Sequence, residues 1–214
     1  MSHGLGQTTV PGIIALACVV LGCSAEQGIG QTESGVATED QALHGTAKAV
    51  LRDAGGAFVG TVLFTAARDS TTVIVTANLP AGTDGIHGFH VHANNDPANG
   101  EGCIADPAEP ADTHFVSADG HYNPGGGKHG AHAGDMPALF FTAAGKAAMA
   151  FITDHFTPAE IKGKAVILHQ APDNYGNIPV GEAANQYMPN STEAATLTAN
   201  TGNAGNRIAC GIVE

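Results

Sequence analysis

The 214-residue chain contains no tryptophan, and aromatic residues make up only 5% of it. Charge is scarce as well: 13% of residues are Asp, Glu, Lys or Arg, about half the share usual in globular domains. Basic residues are rarest, with 8 Lys and Arg against 20 Asp and Glu, for a formal net charge of −12. That balance argues against a nucleic-acid or anionic-membrane surface, both of which attract basic patches. An anionic substrate must therefore find positive charge locally. No apolar run reaches the roughly 20 residues that a membrane-spanning helix needs. In abundance instead are 29 Gly and 11 Pro, which favour turns over long helices. The length suits one folded unit with a proper core, and the expected class is all-β.

The apolar run over residues 12–22 ends at Cys23 and reads as an export signal. Its "VVLGC" resembles a bacterial lipoprotein processing box, which makes Cys23 the lipidated first residue of the mature chain and places the protein in the periplasm or cell envelope. No Lys or Arg precedes the run. A plain secretory signal or a buried segment are the alternatives. Residues 24–43 are polar and without periodicity, as a flexible tether is. The expected organisation is a signal peptide at 1–22, a tether at 23–43 and one domain at 44–214. Within that domain only Cys103 and Cys210 remain. In an exported chain two cysteines suggest one disulfide, with a pair of buried free thiols as the alternative.

Short segments rich in Val, Ile, Phe and Thr predict eight strands, at 45–53, 57–66, 71–79, 86–93, 137–143, 146–153, 164–169 and 207–213. In "TTVIVTANL", Val73, Val75, Ala77 and Leu79 alternate with Thr72, Ile74, Thr76 and Asn78, the period of a strand with one buried face. A barrel or sandwich follows. "TPAE" offers Thr157 as N-cap, Pro158 at the first helical position and Glu160 to close a capping box, so a connective helical turn is expected there. Residues 94–136 and 170–206 are too long for hairpin turns. Loops of that length in a small domain usually carry function.

The segment "GFHVHANND" places His90 and His92 on one face of a strand and Phe89 and Val91 on the other. Two imidazoles on one face are half of a zinc or copper site. The first long loop adds "GHYNPGGGKHGAHAGD", in which His121, His129, His132 and Asp135 form a four-ligand set suited to zinc. His169 stands at the end of a strand in "VILHQAPDNYGN", and Arg207 lies in "TGNAGNRIACG".

These motifs, in this order and with the Gly102–Cys103 pair, resemble the Cu,Zn superoxide dismutase family from about His44 to the end of the chain. The resemblance implies an eight-stranded Greek-key barrel of immunoglobulin-like sandwich form, with metals held outside it by two long loops. It implies one copper per chain on His90, His92, His121 and His169. It likewise implies one zinc per chain on His121, His129, His132 and Asp135, with His121 bridging both ions. Arg207 takes the place of the anion guide, Thr201 narrows the channel, Asp173 links a copper histidine to a zinc histidine, and Cys103 and Cys210 form the disulfide. The implied substrate is superoxide, and a homodimer is compatible with the resemblance. His129 and His132 stand closer together than is common in the family, so the backbone must bend at Gly130 to aim both at one ion.

Two other functions fit the same ligands: a metal-holding barrel without turnover, and a copper-only dismutase. Arg207, Thr201 and a bridging His121 favour the enzyme, since storage requires none of them, and the complete zinc set argues against the copper-only form. Of the other histidines, His87 shares strand parity with Phe89 and is expected to be structural, satisfied by a backbone hydrogen bond. His44, His114 and His155 are expected at the surface, and His3 belongs to the leader.

Overall fold

In β3 (Ser70–Asn78) Val73, Val75 and Ala77 are buried while Ile74 is 45% exposed, the alternation that the sequence predicts. The structure, a computed structural model, describes residues 45–100, 102–175 and 192–214. Cys23, the expected leader and tether, His3 and His44 lie outside the described residues. β3 continues an antiparallel meander of β1 (Thr46–Arg52) and β2 (Phe58–Ala67), whose register sets Ala49 opposite Val62 and Val62 opposite Val75. These pairs put one continuous apolar face inward.

The remaining strands are β4 (Gly85–His87), β5 (Phe89–His92), β6 (Leu139–Phe141), β7 (Lys146–Thr153), β8 (Ala165–His169) and β9 (Arg207–Ile212). Seven form one antiparallel sheet in the order β5-β8-β9-β1-β2-β3-β7, and β4 pairs with β6. The non-sequential neighbours β9-β1 and β3-β7 are Greek-key connections. The predicted strand 86–93 divides at Gly88, because its first part pairs with β6 and its second with β8. A Cβ at Gly88 would stand 2.7 Å from the Cβ of Ala204, so only glycine turns this corner. Leu51, Phe64, Val73, Phe89, Leu139, Phe141 and Leu168 close the core between the sheets.

Every residue of β8 is buried. Val166 and Leu168 face the main core, while Ala165 and Ile167 face a second cluster with Phe115, Ala118 and Cys210. The first long loop thus covers the outer face of β8, which explains the unbroken apolar run "AVIL". Cys103 and Cys210 form the expected disulfide, with Cα atoms 5.5 Å apart, and it pins this loop to β9. At "TPAE" the capping box forms, with Glu160 Oε2 accepting from Thr157 N at 2.7 Å, around a single turn rather than a longer helix. The second long loop holds a helix that the strand-and-loop reading did not predict, α1 (Thr192–Thr201). It ends at Gly202, whose φ of +62° is a left-handed helix stop.

The disulfide spans 107 residues. In the chain-entropy account, a loop of that size stabilises the fold by about 4 to 5 kcal/mol. The Cys103→Ser/Cys210→Ser double variant is expected to lose stability of that order in denaturant unfolding of metal-free protein. A loss below about 1 kcal/mol would show that the first loop is held by packing alone.

Candidate metal centre

β5 has the expected parity and carries the first two candidate ligands: Phe89 and Val91 enter the core, and His90 and His92 project to the opposite face, where they are nonetheless fully buried. Their cover is the first loop, which runs along β5 through Val91 N to Gly134 O, Tyr122 N to Val91 O and Ala93 N to Gly120 O, each at 2.8 Å. That approach requires Gly134, since any Cβ there would collide with the Val91 carbonyl. It brings His121 opposite His92 and Asp135 opposite His90. At the end of β8 a bulge between Leu168 and His169 sets His169 opposite Arg207. His87 is buried as expected, with Nδ1 2.8 Å from the His169 carbonyl.

The imidazoles of His90, His92, His121 and His169 form one group, their candidate donor atoms all within 4.8 Å of one another and His92 Nε2 3.3 Å from His169 Nε2. A second group of His90, His121, His129 and Asp135 meets the same limit. His132 joins it, its Nδ1 3.3 Å from His121 Nδ1 and 3.4 Å from Asp135 Oδ1. His129 Nδ1 is 3.3 Å from the same oxygen and His121 Nδ1 is 2.8 Å from it. Separations near 3.3 Å are those that four donors at about 2.0 Å from a tetrahedral ion require. Gly130, with φ +88°, bends the backbone between His129 and His132, and its N–H donates to Asp135 Oδ2 at 2.7 Å. The short spacing therefore still converges.

Asp173, its side chain wholly buried, spans the two groups: Oδ2 accepts from His90 Nε2 at 2.5 Å and Oδ1 from His129 Nε2 at 2.6 Å. These bonds fix both tautomers and leave Nδ1 of each ring as the free donor. Among the described residues, the buried side-chain nitrogens without a hydrogen bond are His90 Nδ1, His129 Nδ1 and His121 Nε2. All three point to an absent partner with electron-pair acceptor character, and a metal cation is such a partner. His90 has one free nitrogen and so can serve one ion, which leaves His132 as the fourth donor of the second group. His121 faces Asp135 with Nδ1 and the four-histidine group with Nε2, so a single imidazole joins the two.

Arg207 donates through Nη1 to the Phe115 carbonyl at 2.5 Å and through Nη2 to the Asp119 carbonyl at 2.6 Å. The Asp119 carbonyl also takes the Nδ1–H of His92 at 2.8 Å, and the Gly205 carbonyl takes that of His169 at 3.2 Å. The guanidinium lies close enough to depress the protonation of both rings. These carbonyl props are the site features that sequence reasoning missed, since a backbone acceptor carries no residue signature. Thr201 is half-buried at the end of α1. Behind it, a Cβ at Gly202 would collide with Asp173 and His129. His155 is exposed, and His114 is half-buried, bonded to the Asp106 carbonyl at 2.9 Å.

An antiparallel β-domain with one imidazole shared between a four-histidine group and a three-histidine, one-carboxylate group belongs to the metal-dependent redox proteins. The first group, all neutral nitrogen donors, suits copper, and the second, three imidazoles with a carboxylate, suits zinc. The family model for copper/zinc superoxide dismutase matches residues 58–213, and the chain belongs to that family of oxidoreductases, whose cofactors are copper and zinc. Among solved structures it is similar to the Cu/Zn superoxide dismutase of Brucella abortus, at 26% identity and a TM-score of 0.57. That match covers 79% of this chain and 100% of the other. It is also similar to the clock protein EA4, at 25% identity and a TM-score of 0.56, over 80% of this chain and 94% of that one.

Burial, reinforced by cationic neighbours, holds His92 and His169 well below the ordinary imidazole value and His121 at about 4. Burial would also lower His129, but the adjacent carboxylates of Asp135 and Asp173 raise it to about 9. Between pH 6.5 and 4 the unfolded chain binds protons that buried His121 refuses, so folding stability falls with pH there. His129 contributes stability that is complete below 6.5 and is lost as pH rises through about 9. Metal-free protein is thus expected to melt highest near pH 6.5 and lower on both sides. A flat melting profile from pH 4 to 9 would contradict this electrostatic account.

Proposed function

We propose that the protein disproportionates superoxide, two superoxide anions and two protons giving O2 and H2O2, at one copper and one zinc per chain. Copper belongs on His90, His92, His121 and His169, and zinc on His121, His129, His132 and Asp135. The observation that carries the proposal is His121, whose Nδ1 faces Asp135 while its Nε2 is buried and unpaired. When bound, copper supplies the one-electron redox change that zinc cannot, and zinc a fixed positive charge.

The chain's own residues do the rest. Arg207 stays ionised despite partial burial and concentrates a small anion at the four-histidine group in a protein that is otherwise negative. Thr201 narrows the approach beside it. His121 carries a proton on Nε2 to the peroxide product while Nδ1 keeps its place beside Asp135. Asp173 holds His90 and His129 in the tautomers that present Nδ1. A storage protein requires neither Arg207 nor a shared imidazole, so both favour turnover.

Protein reconstituted with both metals is expected to hold one copper and one zinc per chain. Arg207→Ala should lower kcat/KM roughly 10-fold and flatten its dependence on ionic strength, as loss of steering does. Activity with copper alone would indicate the copper-only form, and bound metal without turnover would indicate storage.

The protein is further proposed to be exported and anchored in the cell envelope through lipidated Cys23, with residues 23–43 as tether. The Cys103–Cys210 disulfide supports an oxidising compartment. Labelled palmitate should enter the wild-type chain in bacterial cells and not the Cys23→Ala variant. Label in both would refute the anchor.

A further inference from the structure

Asp119 has φ +64° and ψ −159°, a backbone conformation that is essentially reserved for glycine. A side chain there is strained, and such strain persists only where the surroundings over-determine it. The surroundings at Asp119 do so. Its Oδ2 accepts from Asn95 N at 2.6 Å and Asp96 N at 2.8 Å, and its Oδ1 from Asn99 Nδ2 at 2.7 Å. The backbone on either side is clamped too, with Asn94 N donating to Ala118 O at 3.0 Å and Ala93 N to Gly120 O at 2.8 Å. What the conformation achieves is the direction of one carbonyl. Asp119 O receives both His92 Nδ1–H and Arg207 Nη2–H.

We infer that Asp119 is a positioning residue: its carboxylate locks a glycine-like backbone so that its carbonyl fixes the tautomer of His92 and the aim of Arg207 together. With Nδ1 of His92 committed as donor, Nε2 is left bare toward His169, 3.3 Å away. The same oxygen anchors one arm of the guanidinium, so the ligand and the anion guide share one reference point. The inference rests on the proposed roles of His92 and Arg207, but its first readout needs neither metal nor turnover.

The test compares Asp119→Gly, Asp119→Ala and Asp119→Asn in the full-length protein. Glycine adopts the conformation without an anchor, alanine has strain and no anchor, and asparagine keeps one oxygen acceptor. In metal-free protein, imidazole 15N–1H correlation spectra report the His92 tautomer. The Gly variant is expected to keep the Nδ1–H form, the Ala variant to become a mixture, and the Asn variant to lie between. In reconstituted protein kcat/KM should stay within about two-fold of wild type for Gly and fall about 10-fold for Ala, the usual scale for a lost ligand support. Its salt dependence should weaken in parallel with the tautomer shift. A purely structural Asp119 would lower melting temperature in all three variants and leave the His92 spectrum unchanged, which would overturn the inference. So would equal spectra for Ala and Gly. Should the Ala variant not fold, the Asn variant decides: an unchanged tautomer refutes the inference and a mixed one supports it. A shifted tautomer in a protein lacking dismutase activity would leave Asp119 as a support for His92 and refute only the enzymatic reading.

Discussion

Six imidazoles, those of His90, His92, His121, His129, His132 and His169, are buried side by side, and this concentration of desolvated nitrogen is what the rest of the structure must accommodate. A buried polar atom without a partner is unfavourable by about 1 to 3 kcal/mol, and a buried like-charged pair is worse. The chain answers with acceptors wherever a ring carries N–H: Asp119 O for His92, Gly205 O for His169 and Asp173 for His90 and His129. Each acceptor sits on one side of its ring. The opposite nitrogens are left facing one another, and burial keeps four of the rings, His90, His92, His121 and His169, below their ordinary basicity. Two cations satisfy this arrangement where protons do not.

That electrostatic demand explains the division of labour between sheet and loops. β5 and β8 supply three histidines on rigid, fully paired backbone, where strand parity fixes the direction of each side chain. The loops supply His121, His129, His132, Asp135, Asp173 and Arg207's carbonyl partners, and they are secured at points where the packing tolerates no substitute. Gly134 lets the first loop touch β5, Gly202 lets the end of α1 touch Asp173, and the disulfide ties Cys103 to β9. Arg207 is itself the first residue of β9, so it shares one strand with the disulfide partner Cys210.

Much of this was legible in residue order. The eight expected strands all exist, since period-two alternation reports a half-buried surface directly, and "GFHVH" betrayed its two-faced strand for the same reason. The division at Gly88 was not legible, because it depends on which partner each half finds, β6 or β8. Neither was α1: "TEAATLTANT" has no apolar stripe, and its four Thr and one Asn are weak helix formers, so neither periodicity nor propensity signals a helix there. Asp119 escaped notice because "SADGH" looks like an ordinary turn, and only the backbone angles reveal that a non-glycine residue occupies a glycine conformation.

By itself the sequence determined the all-β class, the two long loops and the donor-bearing side chains, which resemblance to a family sorted into two expected sets. These depend on side-chain chemistry and short-range periodicity, which a linear order carries in full. Only the tertiary structure decided that His129 and His132 converge across Gly130, that His121 stands between two groups with one nitrogen to each, and that Arg207 and His92 hang from one carbonyl. Those are relations between backbone directions far apart in the chain. They come into being only when the strands pair and the loops fold back over them.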